Sequence, residues 1–501
     1  MEIRMEPSGA AQGAFPHPED RARHAAAVED GPRTGESREN GVMSLPPQPI
    51  SPLDGRYRPA VEALGEHLSE AGLNRARVHV EVEWLLFLTD HRMFGTEPVD
   101  AERARALRQW AADFGEDEIA RLAELEATTR HDVKAVEYLV RERLAAQGLT
   151  AIAELTHFAC TSEDVNNVAY ALTIRAAVHQ VWLPRLGEVI TALRERAEEA
   201  RGIPMLARTH GQPATPTTIG KEFAVFVARA ERVRTRIEGI APLAKFSGAT
   251  GTFAAHRAAD PDADWPALSR EFVTGLGLTW NPLTTQIESH DWQAELFAAI
   301  SHENRILHNL CTDVWSYISL GYLTQVPEAG ATGSSTMPHK INPIRFENAE
   351  ANLELSSALL DSLAATLVTS RLQRDLTDST TQRNIGVALG HSLLALDNLA
   401  RGLGEIALAP AAMAADLDAN WEVLGEAIQT VIRAEVTAGR SSIADPYALL
   451  KELTRGRRIT ADELRAFIAD LDIGDEARLR LLALTPATYT GLADDLVGFL
   501  P

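Results

Sequence analysis

Apolar residues recur at three-, four- and seven-residue steps through most of the chain. Phe346, Ala349, Leu353, Leu360, Leu363 and Leu367 form one stripe, with the period of an amphipathic helix. Ile219, Phe223, Phe226, Val227, Ala230, Val233 and Ile237 form a second. Leu296, Ile300, Leu307, Cys311, Val314 and Ile318 form a third. Read throughout, the pattern predicts five long helices near 165–201, 217–243, 291–320, 344–370 and 385–406, with Pro184 kinking the first. Shorter helical patterns alternate with polar breaks from Val61 to Gln147, a helix covers Trp265–Leu276, and shorter helices follow from Pro410 to Pro501. Strand signals are sparse. The fold class is therefore all-α, its middle third a bundle of long helices. The expected domains are 44–151, 152–403 and 404–501, the second being the long-helix bundle.

Composition narrows the function. A chain of 501 residues has room for two or three domains. A formal net charge of −22 argues against a general nucleic-acid binder, because phosphate backbones need basic faces. It leaves room for a local cationic pocket. The two cysteines, Cys160 and Cys311, make neither a disulfide framework nor a zinc spacing. That fits a reducing cytosol and no structural metal. No apolar run approaches the ~18 residues of a membrane span. Residues Met1–Val42, rich in Gly, Pro, Ala, Glu and Arg with the single aromatic Phe15, cannot bury enough surface to offset ordering and read as a disordered extension, 1–43. Met43 is then a candidate start.

The chemistry-bearing residues lie in the breaks between helices. The densest break is Gly330–Glu347, where Thr332, Ser334, Ser335 and Thr336 precede Pro338, His339, Lys340, Asn342 and Pro343. Pro343 suits a first helical position, so a hydroxyl-rich loop delivers a cation and an amide to a helix N-terminus, which attracts anions. Ser51–Tyr57 is a turn that releases Arg56 and Tyr57 side by side. In Thr128–Tyr138, Thr128 or Thr129 caps a helix with His131 and Asp132 in its first turn. Thr161 and Ser162, followed by Glu163 and Asp164, read as another helix start, whose free N–H groups hold either a cap or a carboxylate. His210 sits between Thr209 and Gly211 in a polar Gly/Pro-rich turn, a setting for proton transfer as much as for structure. Gln286 lies in the turn before the third long helix, suited to a carboxylate or to the turn itself. Arg374, Ser379 and Arg383 are spaced to grip a phosphate or to pair with Asp375 and Asp378. Helices of ~25 residues span ~38 Å, so these breaks fall at opposite bundle ends. A site shared between subunits of a homo-oligomer would gather them.

The run Gly-Ser-Ser-x-Met-Pro-x-Lys-x-Asn-Pro, 333–343, resembles the signature loop of the fumarase/aspartase superfamily. With Ser51–Tyr57, His131–Tyr138, Thr161–Asp164 and Gln373–Asn384, the chain from Ser51 onward resembles the adenylosuccinate lyase branch in its longer bacterial form. The resemblance implies β-elimination of fumarate from adenylosuccinate, giving AMP, and from the succinylated aminoimidazole carboxamide ribotide (SAICAR), without metal or organic cofactor. It implies Ser334 as general base and His210 as general acid, with Thr209 beside the acid. A serine is a weak base, so its alkoxide needs Lys340 and loop N–H groups. Lys340, Asn342, Thr161, Ser162 and Gln286 would hold the carboxylates and the developing negative charge. Arg56, Tyr57, Arg374, Ser379 and Arg383 would hold the phosphate, and His131 and Asp132 would lie near the nucleotide. The implied assembly is a homotetramer with a twenty-helix core and active sites shared between subunits.

Overall fold

The computed structural model describes residues 49–326, 337, 340–454 and 458–501, with the side chains of 452–454 excepted. The 1–43 extension, Met43, His339 and the loop portion that holds Ser334 lie outside these described residues.

The long helices form where the apolar stripes place them. The first runs Ser162–Ala176, widens into a π-helical turn over Ala177–Trp182, and continues as Leu183–Glu199. The expected irregularity at Pro184 is that π turn. A proline ring offers no N–H and crowds the carbonyl four residues back, and a wider turn accommodates both. The others are Ile219–Glu238, Asp291–Ser319, Ile344–Leu367 and Ile385–Gly404. The second is shorter than 217–243 because both its ends are drawn into two-residue ladders. Thr217–Thr218 pairs antiparallel with Pro204–Met205, and Leu243–Ala244 pairs parallel with Thr279–Trp280. Thr218 then caps the helix, its hydroxyl accepting from the Lys221 N–H at 3.3 Å.

Inner stripes of the long helices close on one another. Phe297, Ile300, Leu307 and Val314 meet Leu353, Leu360 and Leu363 and the stripe Leu389, Leu396, Leu399 and Leu403 in one core, all nearly inaccessible. Each such side chain contributes roughly 1.5–3 kcal/mol by leaving water. A polar chain crosses this core and fixes the helices against sliding. Trp182 Nε1 donates to Ser392 Oγ at 2.8 Å, Ser392 to Asn304 Oδ1 at 2.7 Å, and Asn304 Nδ2 to Ser356 Oγ at 3.0 Å. A separate core of Trp421, Leu424, Ile428, Ile432, Ile468 and Leu481 holds the shorter C-terminal helices.

The bundle sets out two ends. Asp291–Ser319 has 29 residues, so its ends lie about 43 Å apart. Near its start gather the N-termini of Ser162–Ala176 and Ile385–Gly404 and the C-terminus of Ile344–Leu367. Near its finish gather the start of Ile344–Leu367, the end of Ile385–Gly404 and the turn that carries His210.

Candidate active site

At the first end, Thr161 is the N-cap of Ser162–Ala176, and its N–H donates to Asp164 Oδ2 at 2.8 Å. The two acidic residues of this first turn are not solvated. Asp164 is fully buried and also accepts from Ser247 N at 2.8 Å, Gly248 N at 3.1 Å and Lys245 Nζ at 2.9 Å. It thereby fastens Thr161 and Ser162 to the loop after Ala244. Glu163, also buried, takes Arg374 at 3.0 Å and Asn166 Nδ2 at 2.9 Å. Gln286 bridges the same loop to Arg374: Nε2 donates to Ala249 O at 2.9 Å, and Oε1 accepts from Arg374 at 3.3 Å.

The network continues sideways. Asn166 Oδ1 accepts from Arg77 Nε at 2.9 Å, and Arg77 reaches Asp132 at 2.9 Å. Asp132 also meets Arg383 at 3.2 Å, and Arg383 pairs with Glu70. Burial alone would raise the Asp132 carboxyl, but Arg77 and Arg383 hold it below its usual range. The arginines expected for phosphate are therefore paired here, though not with Asp375 and Asp378. Asp375 takes Arg371 instead at 3.0 Å, and Asp378 faces His290 at 3.5 Å. Ser379 follows Asp378, its N–H donating to Asp378 Oδ1 at 2.7 Å.

His131 lies beside this group, in a different role from the one the threonines suggest. The helix Glu116–Thr129 runs through Thr128 and Thr129 and ends at Arg130, whose φ of +51° breaks it. His131 itself caps Asp132–Ala146, its Nδ1 accepting from Lys134 N at 3.3 Å. An accepting Nδ1 carries no proton, which leaves Nε2 as the donor facing outward. The turn that carries Arg56 and Tyr57 starts beside this group and runs toward the second end. A cavity of about 180 Å³ lies between Ser51–Asp54 and Arg383–Gly390. Arg56 is exposed over the Tyr57 ring, and the Tyr57 hydroxyl accepts from Asn348 Nδ2 at 3.4 Å.

At the second end, Arg208–Thr209 and Gln212–Pro213 form a hairpin. Its two-residue turn is His210-Gly211, with φ of +53° and +73°. That is a type I′ pattern. Glycine adopts it freely, whereas histidine does so at a cost. His210 is exposed at the tip. Lys340 is exposed before Ile344–Leu367, and its N–H donates to Met337 O at 3.0 Å. The Asn342 carbonyl accepts from Ile344 N at 2.8 Å. The structure thus brings together His131, Asp132, Thr161, Ser162, Gln286, Arg374, Ser379 and Arg383 at one end. Thr209, His210, Lys340 and Asn342 stand at the other.

One further pair escaped the sequence pattern. His157, with φ of +56°, receives Glu81 twice: Oε2 on its backbone N–H at 2.9 Å and Oε1 at Nδ1 at 2.6 Å. Burial disfavours charge on this ring, but Glu81 prevails and holds its pKa above the ordinary range. The available signal was a glutamate inside the apolar run Val80–Leu88, which a buried helix tolerates only with a partner.

The fold is that of the helical lyases. It is similar to the crystal structure of 3-carboxy-cis,cis-muconate lactonizing enzyme from Pseudomonas putida, with TM-score 0.66 and 22% identity, covering 87% of this chain and 95% of that one. It is equally similar to that of a fumarate lyase from Mesorhizobium sp. BNC1, with TM-score 0.67 and 20% identity, covering 88% and 97%. The family model described as Lyase matches residues 55–354, and that described as Adenylosuccinate lyase C-terminal matches 370–490. Adenylosuccinate lyase of Escherichia coli K12 is 48% identical over 453 residues, covering 90% of this chain and 98% of the relative. That of Vibrio cholerae is 48% identical over 454 residues, with the same coverage, and that of Dictyostelium discoideum is 43% identical over 459, covering 89% and 97%. The chain belongs to the adenylosuccinate lyase family.

Proposed function

We propose that Ser334 and His210 carry out the family's elimination as general base and general acid. The protein is a carbon–nitrogen lyase of the adenylosuccinate lyase type, acting on small nucleotides. It releases fumarate from adenylosuccinate to give AMP, and from SAICAR to give AICAR. Ser334 takes the proton beside a substrate carboxylate. His210 protonates the departing nitrogen. The observation that carries the assignment of His210 is its backbone: a non-glycine residue held left-handed at an exposed hairpin tip. Residues held this way gather at functional turns, and here the turn presents an imidazole to solvent. Ser334 is assigned by its place in the signature loop.

Thr161, Ser162 and Gln286 hold the carboxylates at a helix N-terminus, joined by Lys340 and Asn342. Arg374, Ser379, Arg383, Arg56 and Tyr57 hold the phosphate. His131 and Asp132 contact the nucleotide, and Thr209 flanks the acid. Glu163, Glu70 and Asp132 occupy the arginines until a phosphate replaces them, which supports an anion site.

Two ends about 43 Å apart cannot act on one substrate within one chain. We therefore infer a homotetramer in which each site takes its first-end groups, its His210 hairpin and its signature loop from different subunits. The division into 44–151, 152–403 and 404–501 is kept, supported by the separate core around Ile428 and Ile468. Two free thiols fit a cytosolic location, and no described helix is long and apolar enough to cross a membrane.

The test is the ultraviolet absorbance change with adenylosuccinate, with fumarate and AMP assayed at the end. Ser334→Ala is expected to abolish turnover and keep substrate binding. His210→Gln loses most activity, and mixing the two inactive proteins restores part of it. Near-normal turnover by Ser334→Ala would remove that residue as the base. No recovery despite proven subunit exchange would count against shared sites.

A further inference from the structure

At the second bundle end, two stems share one carboxylate. Asp416, in the Pro410–Asp418 helix, accepts through Oδ2 from the Arg208 guanidinium and from the Tyr322 hydroxyl. Asn420 Nδ2 holds Oδ1 at 3.2 Å. Arg208 stands two residues before His210. Tyr322 immediately precedes the strand Leu323–Gln325, which pairs with Ile406–Leu408 and leads toward the signature loop. That strand touches the far side of the loop directly, because Gln325 Nε2 donates to Ile341 O at 2.6 Å, next to Lys340.

The hairpin has further anchors on the same C-terminal helices. Leu206 packs with Leu417 and Val423, and Thr215 donates to Glu426. Tyr322 is a dependable donor: burial, then Asp416, push its hydroxyl up to about 12, so it keeps its proton at neutral pH. Arg208 and Asp416 side chains are each 27% exposed, so the contact is not part of the apolar core.

We propose that Asp416 is a positioning residue for both loops: one carboxylate oxygen sets the hairpin that presents His210 and the strand that feeds the Lys340 loop. Two donors on one oxygen are coupled through it. A shift in the Pro410–Asp418 helix therefore displaces the acid and the cation together. The inference rests on His210 being the general acid.

Asp416→Asn keeps the volume and removes the charge. It is expected to lower kcat by about tenfold or more, since displacement by an ångström costs that much or more. KM for either substrate should rise by less than kcat falls, with assembly and far-ultraviolet circular dichroism unchanged. Tyr322→Phe alone gives a smaller loss of kcat, and adds nothing in the Asp416→Asn background, because both remove one linked contact. Wild-type kcat in Asp416→Asn overturns the proposal, as does a loss confined to KM. If Asp416→Asn does not assemble, Tyr322→Phe decides, and an unchanged kcat there overturns it equally. His210→Gln, measured alongside, separates the two levels. An active His210→Gln defeats the general-acid reading and the proposal with it, whereas an inactive His210→Gln beside a fully active Asp416→Asn defeats the positioning role alone.

Discussion

Glu303 is buried in the core at the middle of Asp291–Ser319, and neither carboxylate oxygen has a hydrogen-bond partner among the described residues. Burial pushes its pKa up to about 8, against a weaker opposing pull from Arg229. The native chain therefore keeps a proton that the unfolded chain loses near 4.5. Stability falls as pH rises through that window, and the full penalty, approaching ~5 kcal/mol, is present above about pH 8. Glu303→Gln should raise the unfolding temperature by several degrees at pH 9 and by much less at pH 5. Equal gains at both pH values in calorimetry would refute the titration argument. The same scale shows what a sequence conveys. Thr161 is legible as a cap because its signal is local. Asp164 is not legible as a buried junction, because its partners Lys245, Ser247 and Gly248 come from some eighty residues away. His131 displaced the threonines as cap because Arg130 ended the preceding helix one residue later than their hydroxyls suggest.

The long helices were the most legible elements, since each buries one continuous stripe. The ladders left no trace, because two or three residues have no period. They matter nonetheless, since they hold the loops on which the candidate site is built. Gly251 makes the point for the loop that meets Gln286. Its φ is +72°, and an added Cβ would stand 2.3 Å from the Thr284 carbonyl and 2.7 Å from that of Thr285. Only glycine lets the 248–252 and 284–286 segments approach so closely. Gly251→Ala is expected to cost about 1–3 kcal/mol of stability and to raise KM more than it lowers kcat, by displacing Gln286 from Ala249 O. Steady-state kinetics with wild-type KM would show that Gln286 keeps its place without this contact.

For the whole molecule, apolar periodicity yielded the bundle, and helix length yielded the separation of its ends. It gave no hint that the arginines at one end would be closed by Glu163, Glu70 and Asp132, since such pairing depends on how remote segments dock. The separation has a kinetic consequence. On the proposed assignments, a lone chain carries the phosphate-holding arginines at one pole and the acid with Lys340 at the other, so its half-reagents are held apart. Specific activity should then depend on enzyme concentration, falling on dilution as subunits part and recovering on reconcentration. Activity and sedimentation measured across a dilution series should trace one curve, and full activity in a dissociated fraction would break the link. With sites shared as proposed, catalysis becomes a property of a population of chains, set by mass action before any substrate binds.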